Sequence, residues 1–152
     1  MSPALQTLIE QAERERDHAQ AAVLQAEEHA GRMQTQRQQL QAYEADYASR
    51  APGLGGQAAT MAQLRAHHAF MQRLHQALLQ QQGVLAQAEQ QVLQRRQLLL
   101  ACELRLAAVR KLVERRLQDE HLQAARQDQK RTDEAAAQAH WRQGEQQRRL
   151  VP

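Results

Sequence analysis

Eight apolar residues, Leu64, Met71, Leu78, Leu85, Val92, Leu99, Leu106 and Val113, follow one another at a constant spacing of seven. A helix keeps one side apolar over so long a run only when that side lies along another helix, because a seven-residue repeat follows a supercoiled seam. An earlier row repeats the spacing with Leu5, Ala12, Ala19, Ala26, Met33, Leu40 and Tyr47, and Ile9, Val23 and Ala30 fill part of a companion row. The companion row of the later segment is mixed: Leu74, Ala88, Cys102 and Val109 alternate with His67, Gln81, Arg95 and Arg116. A seam so interrupted by polar residues suits two strands better than a large bundle. The expected fold is all-α, a long antiparallel two-helix coiled coil.

The breakers divide the chain in two. Ser2 before Pro3 has the form of an N-cap followed by proline at the first helical position, and no further proline occurs until Pro52. Pro52-Gly53-Leu54-Gly55-Gly56 is the strong breaker cluster, and Thr60 with Gln63 three residues later has the form of a capping box. Gly83 stands alone, and in a helix interior it costs about 1 kcal/mol relative to Ala. The expected organisation is a single coiled-coil domain: helix one over about 3–50, a Pro/Gly turn at 51–57, helix two over about 60–140 and a flexible tail at 141–152. Pairing about a centre near residue 54 sets Leu5 opposite residue 103 or so. Helix two then overhangs helix one by about 35 residues, or about 50 Å at 1.5 Å per residue. Leu106, Val109, Leu112, Val113 and Leu117 would form an apolar stripe with no partner in the same chain, which implies a partner elsewhere.

Composition agrees with helices and argues against a globular core. Gln and Ala supply 29 and 28 of the 152 residues, while Leu, Ile, Val and Phe together supply 28. That is about 18 %, below the roughly 20 % at which disorder becomes plausible, yet the net charge of +3 lacks the excess that usually accompanies disorder. One Ile, six Val, four Thr and four aromatic residues cannot pave a sheet. Charge is uneven. Residues 1–51 hold five Arg against eight acids, and residues 105–152 hold eleven Lys or Arg against seven acids.

Chemistry finds little footing. Cys102 is the single cysteine and falls on the companion row, where a small buried hydrophobe is expected; with no disulfide available, a reducing cytosol is the simplest compartment. His67, His68 and His75 include no i, i+4 pair that would put two imidazoles on one helix face. Gly53-Leu54-Gly55-Gly56 lacks the Lys and the preceding strand of a phosphate loop and reads as a turn. No catalytic residue, metal or cofactor is expected. No run of 18 apolar residues and no secretory leader is present, which points to the cytoplasmic side without membrane insertion. The basic C-terminal third, with Arg105, Arg110, Lys111, Arg115, Arg116, Arg126, Lys130 and Arg131, has acids interleaved and no aromatic before Trp141. It suits a protein partner better than nucleic acid.

The order of features resembles the flagellar export protein FliJ family. Glu13-Arg14-Glu15-Arg16-Asp17 lies in the first heptad helix, and Tyr43-x-x-x-Tyr47 precedes the glycine-containing turn. Phe70-x-x-x-Leu74-x-x-Ala77-Leu78-x-x-Gln81-Gln82 follows, then Leu112-Val113-Glu114-Arg115-Arg116 and the late Asp128-Gln129-Lys130-x-x-Asp133-Glu134. The likeness runs from about residue 5 to residue 139. Departures are the Ala-rich first helix and the lack of an aromatic near 96–99, where relatives often carry Trp.

The resemblance implies a non-enzymatic component of the flagellar type III export apparatus. Members are similar in shape to the central stalk of rotary ATP synthases, enter the ring of the hexameric export ATPase, reach toward the export-gate membrane protein and bind export chaperones. Carried over, it makes Phe70 and Leu74 the export-gate contact. The start of helix one with the overhang would be the ATPase-ring contact: Leu106, Val109, Val113 and Leu117, flanked by Arg105, Arg110, Lys111, Arg115 and Arg116. Leu5, Leu40, Leu64, Met71, Leu78, Leu85, Val92 and Leu99 would hold the seam. The same reading expects a monomer at micromolar concentration, peripheral to the membrane at the flagellar base. The equivalent rod of a virulence type III secretion system and a generic homodimeric scaffold are the competing readings.

Overall fold

In the computed structural model, which describes residues 2–151, the start of each helix is capped by a side chain. The Leu5 amide donates to Ser2 Oγ at 3.3 Å, so Ser2 caps the helix that opens at Pro3. At the second start the Thr60 amide donates to Gln63 Oε1 and the Gln63 amide donates to Thr60 Oγ1, each at 3.1 Å. This reciprocal box satisfies two of the amides that a helix start leaves unpaired. Helix α1 spans Pro3–Ser49 and α2 spans Met61–Leu150, with one 3-10 turn at Leu54–Gly56 between them. Gly53 and Gly56 adopt φ of 87° and 81° there, a left-handed backbone that side-chain-bearing residues rarely take.

The two long helices pack against each other, α2 being the longer at 90 residues against 47. Helix α2 continues to Leu150, through the stretch at 141–150 that the sequence reading gives to a tail. No proline occurs between Pro52 and Pro152. Gly144 alone costs about 1 kcal/mol against neighbours that are good helix formers, too little to end the helix.

The larger of two compact units is Ala12–Leu104. Its contacts descend on α1 as they ascend on α2: Tyr47 meets Phe70, Met33 meets Gln81 and Glu27 meets Arg96. The helices are therefore antiparallel. The first two pairs put the midpoint of pairing between positions 57 and 59 rather than at 54. Because α1 stops at Ser49, the first turn of α2 then has no α1 residue beside it, and Met61 and Leu64 are 65 % and 42 % exposed. Leu64 thus stands outside the seam expected of it. Ala12, Val23 and Ala26 of α1 and Leu78, Leu85, Ala88 and Val92 of α2 are buried here. Met71, Leu99, Leu40 and Cys102 are half-buried, so Cys102 is less enclosed than the sequence suggests.

The other unit joins the described residues through Gln11 to those from Arg105 onward. Leu106 and Val113 are buried in it at 3 % and 5 % exposure. Leu5 and Ile9 of α1 are half-buried, as are Val109 and Leu117 of α2. This corrects the expectation that the stripe from Leu106 onward lacks an intramolecular partner, because α1 covers it at its start. Exposure becomes continuous only after Leu117, where every described residue except half-buried Glu145 faces solvent.

Candidate functional site

At the turn end of the larger unit, apolar side chains stand clear of the seam. The Tyr47 and Phe70 rings approach to 4.6 Å between centroids with an interplanar angle of 50°, a tilted arrangement that suits the opposed charge of ring faces and edges. Both rings remain partly open, at 37 % and 39 % exposure. Leu74, one turn after Phe70, is half-buried. Tyr43, Leu54, Met61 and Leu64 are exposed as well, so both sides of the turn contribute apolar surface. Contact between a solvent-facing Phe and Tyr leaves one face of the pair available. The sequence names Phe70 and Leu74 but not Tyr47 as part of this patch, because Tyr47 falls on the α1 seam row and reads as core. Its exposure follows from the shortness of α1 beyond it.

In the other unit the residues expected at the ring contact separate into two groups. Leu106 and Val113 are buried and Val109 and Leu117 half-buried, whereas Arg105, Arg110, Lys111, Arg115 and Arg116 are exposed. Arg105 and Arg110 are each engaged by a neighbouring group within the molecule. Lys111, Leu112, Arg115 and Arg116 face outward here together with Arg105, Arg110 and Glu114, and farther on Leu122 does so. Leu112 belongs to the Leu112-Val113-Glu114-Arg115-Arg116 element, and the periodicity distinguishes it from Val113 since it falls off both seam rows. Near the end of α2 a shallow hollow is lined by Arg142, Glu145, Gln146 and Arg149, with Trp141 beside it 66 % exposed.

No arrangement for catalysis emerges among the described residues. No cluster of three or more His, Cys, Asp or Glu is placed to hold a metal ion there, and no helix is long and apolar enough to cross a membrane. The groove of about 430 Å³ between the helices is lined by Glu27, Ala30, Glu89, Val92, Leu93 and Arg96. Arg96 Nη2 spans it to Glu27 Oε1 at 3.0 Å. Chemically, the molecule offers surfaces and charges for protein contact.

The family model described as the flagellar FliJ protein matches residues 1–145. No curated protein and no solved structure matches the chain.

Proposed function

The chain belongs to the flagellar FliJ protein family, and on that footing we propose that it is the central-stalk-like coiled coil of the flagellar type III export apparatus. Membership makes it a component of that apparatus, within a structural rather than an enzymatic family. The finer reading is that it sits on the cytoplasmic side at the flagellar base and contacts three partners there. These are the ring of the hexameric export ATPase, the export-gate membrane protein and the export chaperones.

One observation carries this reading: exposed Lys111, Leu112, Arg115 and Arg116 lead into a stretch of α2 that runs on beyond Leu117 to Leu150 with every side chain but half-buried Glu145 turned to solvent. A helix with so little packing of its own gains most from a partner that surrounds it. We assign the ring contact to Lys111, Leu112, Leu117, Arg115 and Arg116, with Leu106, Val109 and Val113 holding that segment in place from the seam. Phe70 and Leu74, with Tyr47 against Phe70, are the gate contact.

The test is association with the export ATPase encoded in the same gene cluster. Attraction of exposed basic side chains to acidic loops is screened by salt, whereas apolar contact is not. Reversing Arg115 and Arg116 to Glu should slow association severalfold at low salt and much less at high salt. Wild-type association rates at both salt concentrations would remove this segment from the ring contact.

A further inference from the structure

Off the two seam rows, α2 carries a further apolar row that begins at the edge of the groove between the helices. Leu93, Leu100 and Leu104 are 59 %, 56 % and 63 % exposed, all more open than Phe70. Seven residues separate the first two and four the last two, so the three share one helix face. Gln97, also exposed, fills the position between Leu93 and Leu100. A row of exposed leucines on a helix already paired along another side asks for a second helix.

The charges beside the row identify that helix. Arg96 and Glu103, one heptad apart and both exposed, lie along the same edge of the leucine row. Pairing two copies of α2 antiparallel about a two-fold axis at positions 98 and 99 sets Leu93 of each copy against Leu104 of the other. Leu100 then meets Gln97. The same axis brings Arg96 of each copy to Glu103 of the other, so opposite charges meet twice. A two-fold interface must be complementary to itself, and this edge satisfies that condition with no residue from elsewhere. Arg96 already holds Glu27 at 3.0 Å, but its side chain stays 57 % exposed. A guanidinium has five N–H donors and accepts a second carboxylate without releasing the first.

We propose that this face of α2 is a homodimer interface, at which two chains pair antiparallel through Leu93, Leu100 and Leu104. Three leucines a side cover much less than the roughly 800 Å² per partner of a standard stable interface. The dimer therefore forms only at high concentration, leaving the monomer expected in the micromolar range. This goes beyond the stalk reading and does not depend on it.

Sedimentation equilibrium of the full chain under reducing conditions, from about 5 to about 500 µM, should reveal a monomer–dimer equilibrium. Leu100→Lys should weaken it at least about tenfold. Arg96→Glu and Glu103→Arg should each weaken it, and the double variant should recover most of the wild-type dimer. Circular dichroism melts of each variant identify any loss that comes from unfolding, and Glu103→Arg leaves the Glu27 pair untouched. A chain that stays monomeric throughout overturns the proposal and gives the leucine row to a helix of another protein. A dimer indifferent to Leu100→Lys, or one that the charge exchange does not restore, overturns it equally.

Discussion

The Gln81 side-chain amide donates to the Met33 carbonyl oxygen at 3.3 Å, a polar crossing from the mixed companion row of α2 to the apolar row of α1. The same amide donates to Gln36 Oε1 at 3.0 Å. Gln81 occupies a companion-row position that Leu74 and Ala88 fill one heptad to either side. Polar seam residues fix register at some cost in stability, because a slipped pairing leaves them unsatisfied. Gln81→Ala should lower stability by about 1 kcal/mol. Gln81→Leu should instead raise the melting temperature, since the added apolar contact offsets the lost hydrogen bonds. Thermal melts by circular dichroism distinguish the two signs.

Arg37 presents the opposite case. It is half-buried on the α1 companion row, and its Nε is enclosed with no hydrogen-bond partner. An enclosed donor without an acceptor costs about 1–3 kcal/mol. Arg37→Met, whose unbranched side chain reaches about as far as the Nε and carries no donor, should stabilise the fold by about 1 kcal/mol in urea titration. A destabilised variant would mean that the guanidinium finds an acceptor in solution.

Val113 and Leu122 should respond to the same substitution in different ways. Val113 is 5 % exposed and Leu122 is 56 % exposed, although both lie on α2 beyond Arg105. Val113→Asp places a carboxylate in an apolar contact and should cost about 3 kcal/mol or more. Leu122→Asp should stay within about 1 kcal/mol of wild type. Equal losses would contradict the burial of Val113, and a neutral Val113→Asp would restore the uncovered stripe expected from the sequence.

Phe70 is too exposed for a core role. Truncating a fully buried Phe costs about 3–5 kcal/mol, whereas a ring 39 % exposed and touching Tyr47 should cost about 1–2 kcal/mol. A double-mutant cycle of Phe70→Ala with Tyr47→Ala should return a coupling of about 0.5–1.5 kcal/mol. On the gate-contact reading Phe70→Ala also weakens binding to the export gate and reduces motility. Full motility with that stability loss would leave the ring pair as packing alone.

Periodicity made the seam legible. Every residue buried among those described, from Ala12 to Val113, falls on a row spaced by seven or its companion. Capping chemistry made both helix starts legible, at Ser2 and at Thr60 with Gln63. Register was not, because it depends on where α1 ends against α2, and counting from the centre of the turn misplaces that by a few residues. The small offset decided the candidate site: it left Leu64 outside the seam, and Leu106 and Val113, expected to be open, proved buried. Tyr47 was hidden for the same reason, being a seam position that the short end of α1 leaves open. The end of α2 was missed because the stretch at 141–150, mostly Gln and Arg with one Gly, carries neither a proline nor an apolar row.

Beyond Leu117 the helix rests on its own backbone ladder. Each added residue there contributes only one more hydrogen bond against the entropy of fixing its dihedrals, and the balance per residue is small. Opening should begin at Leu150 and work inward, with amide protons exchanging fastest at the end and slowing toward Leu117. Arg126, Lys130, Arg131, Arg142, Arg148 and Arg149 lie in that stretch, and opening from the end exposes them to trypsin, Arg149 first, before any bond in the seam is cut. Anything that clasps the stretch inherits a segment whose order it must complete, and the slowing of amide exchange on binding would trace its footprint residue by residue.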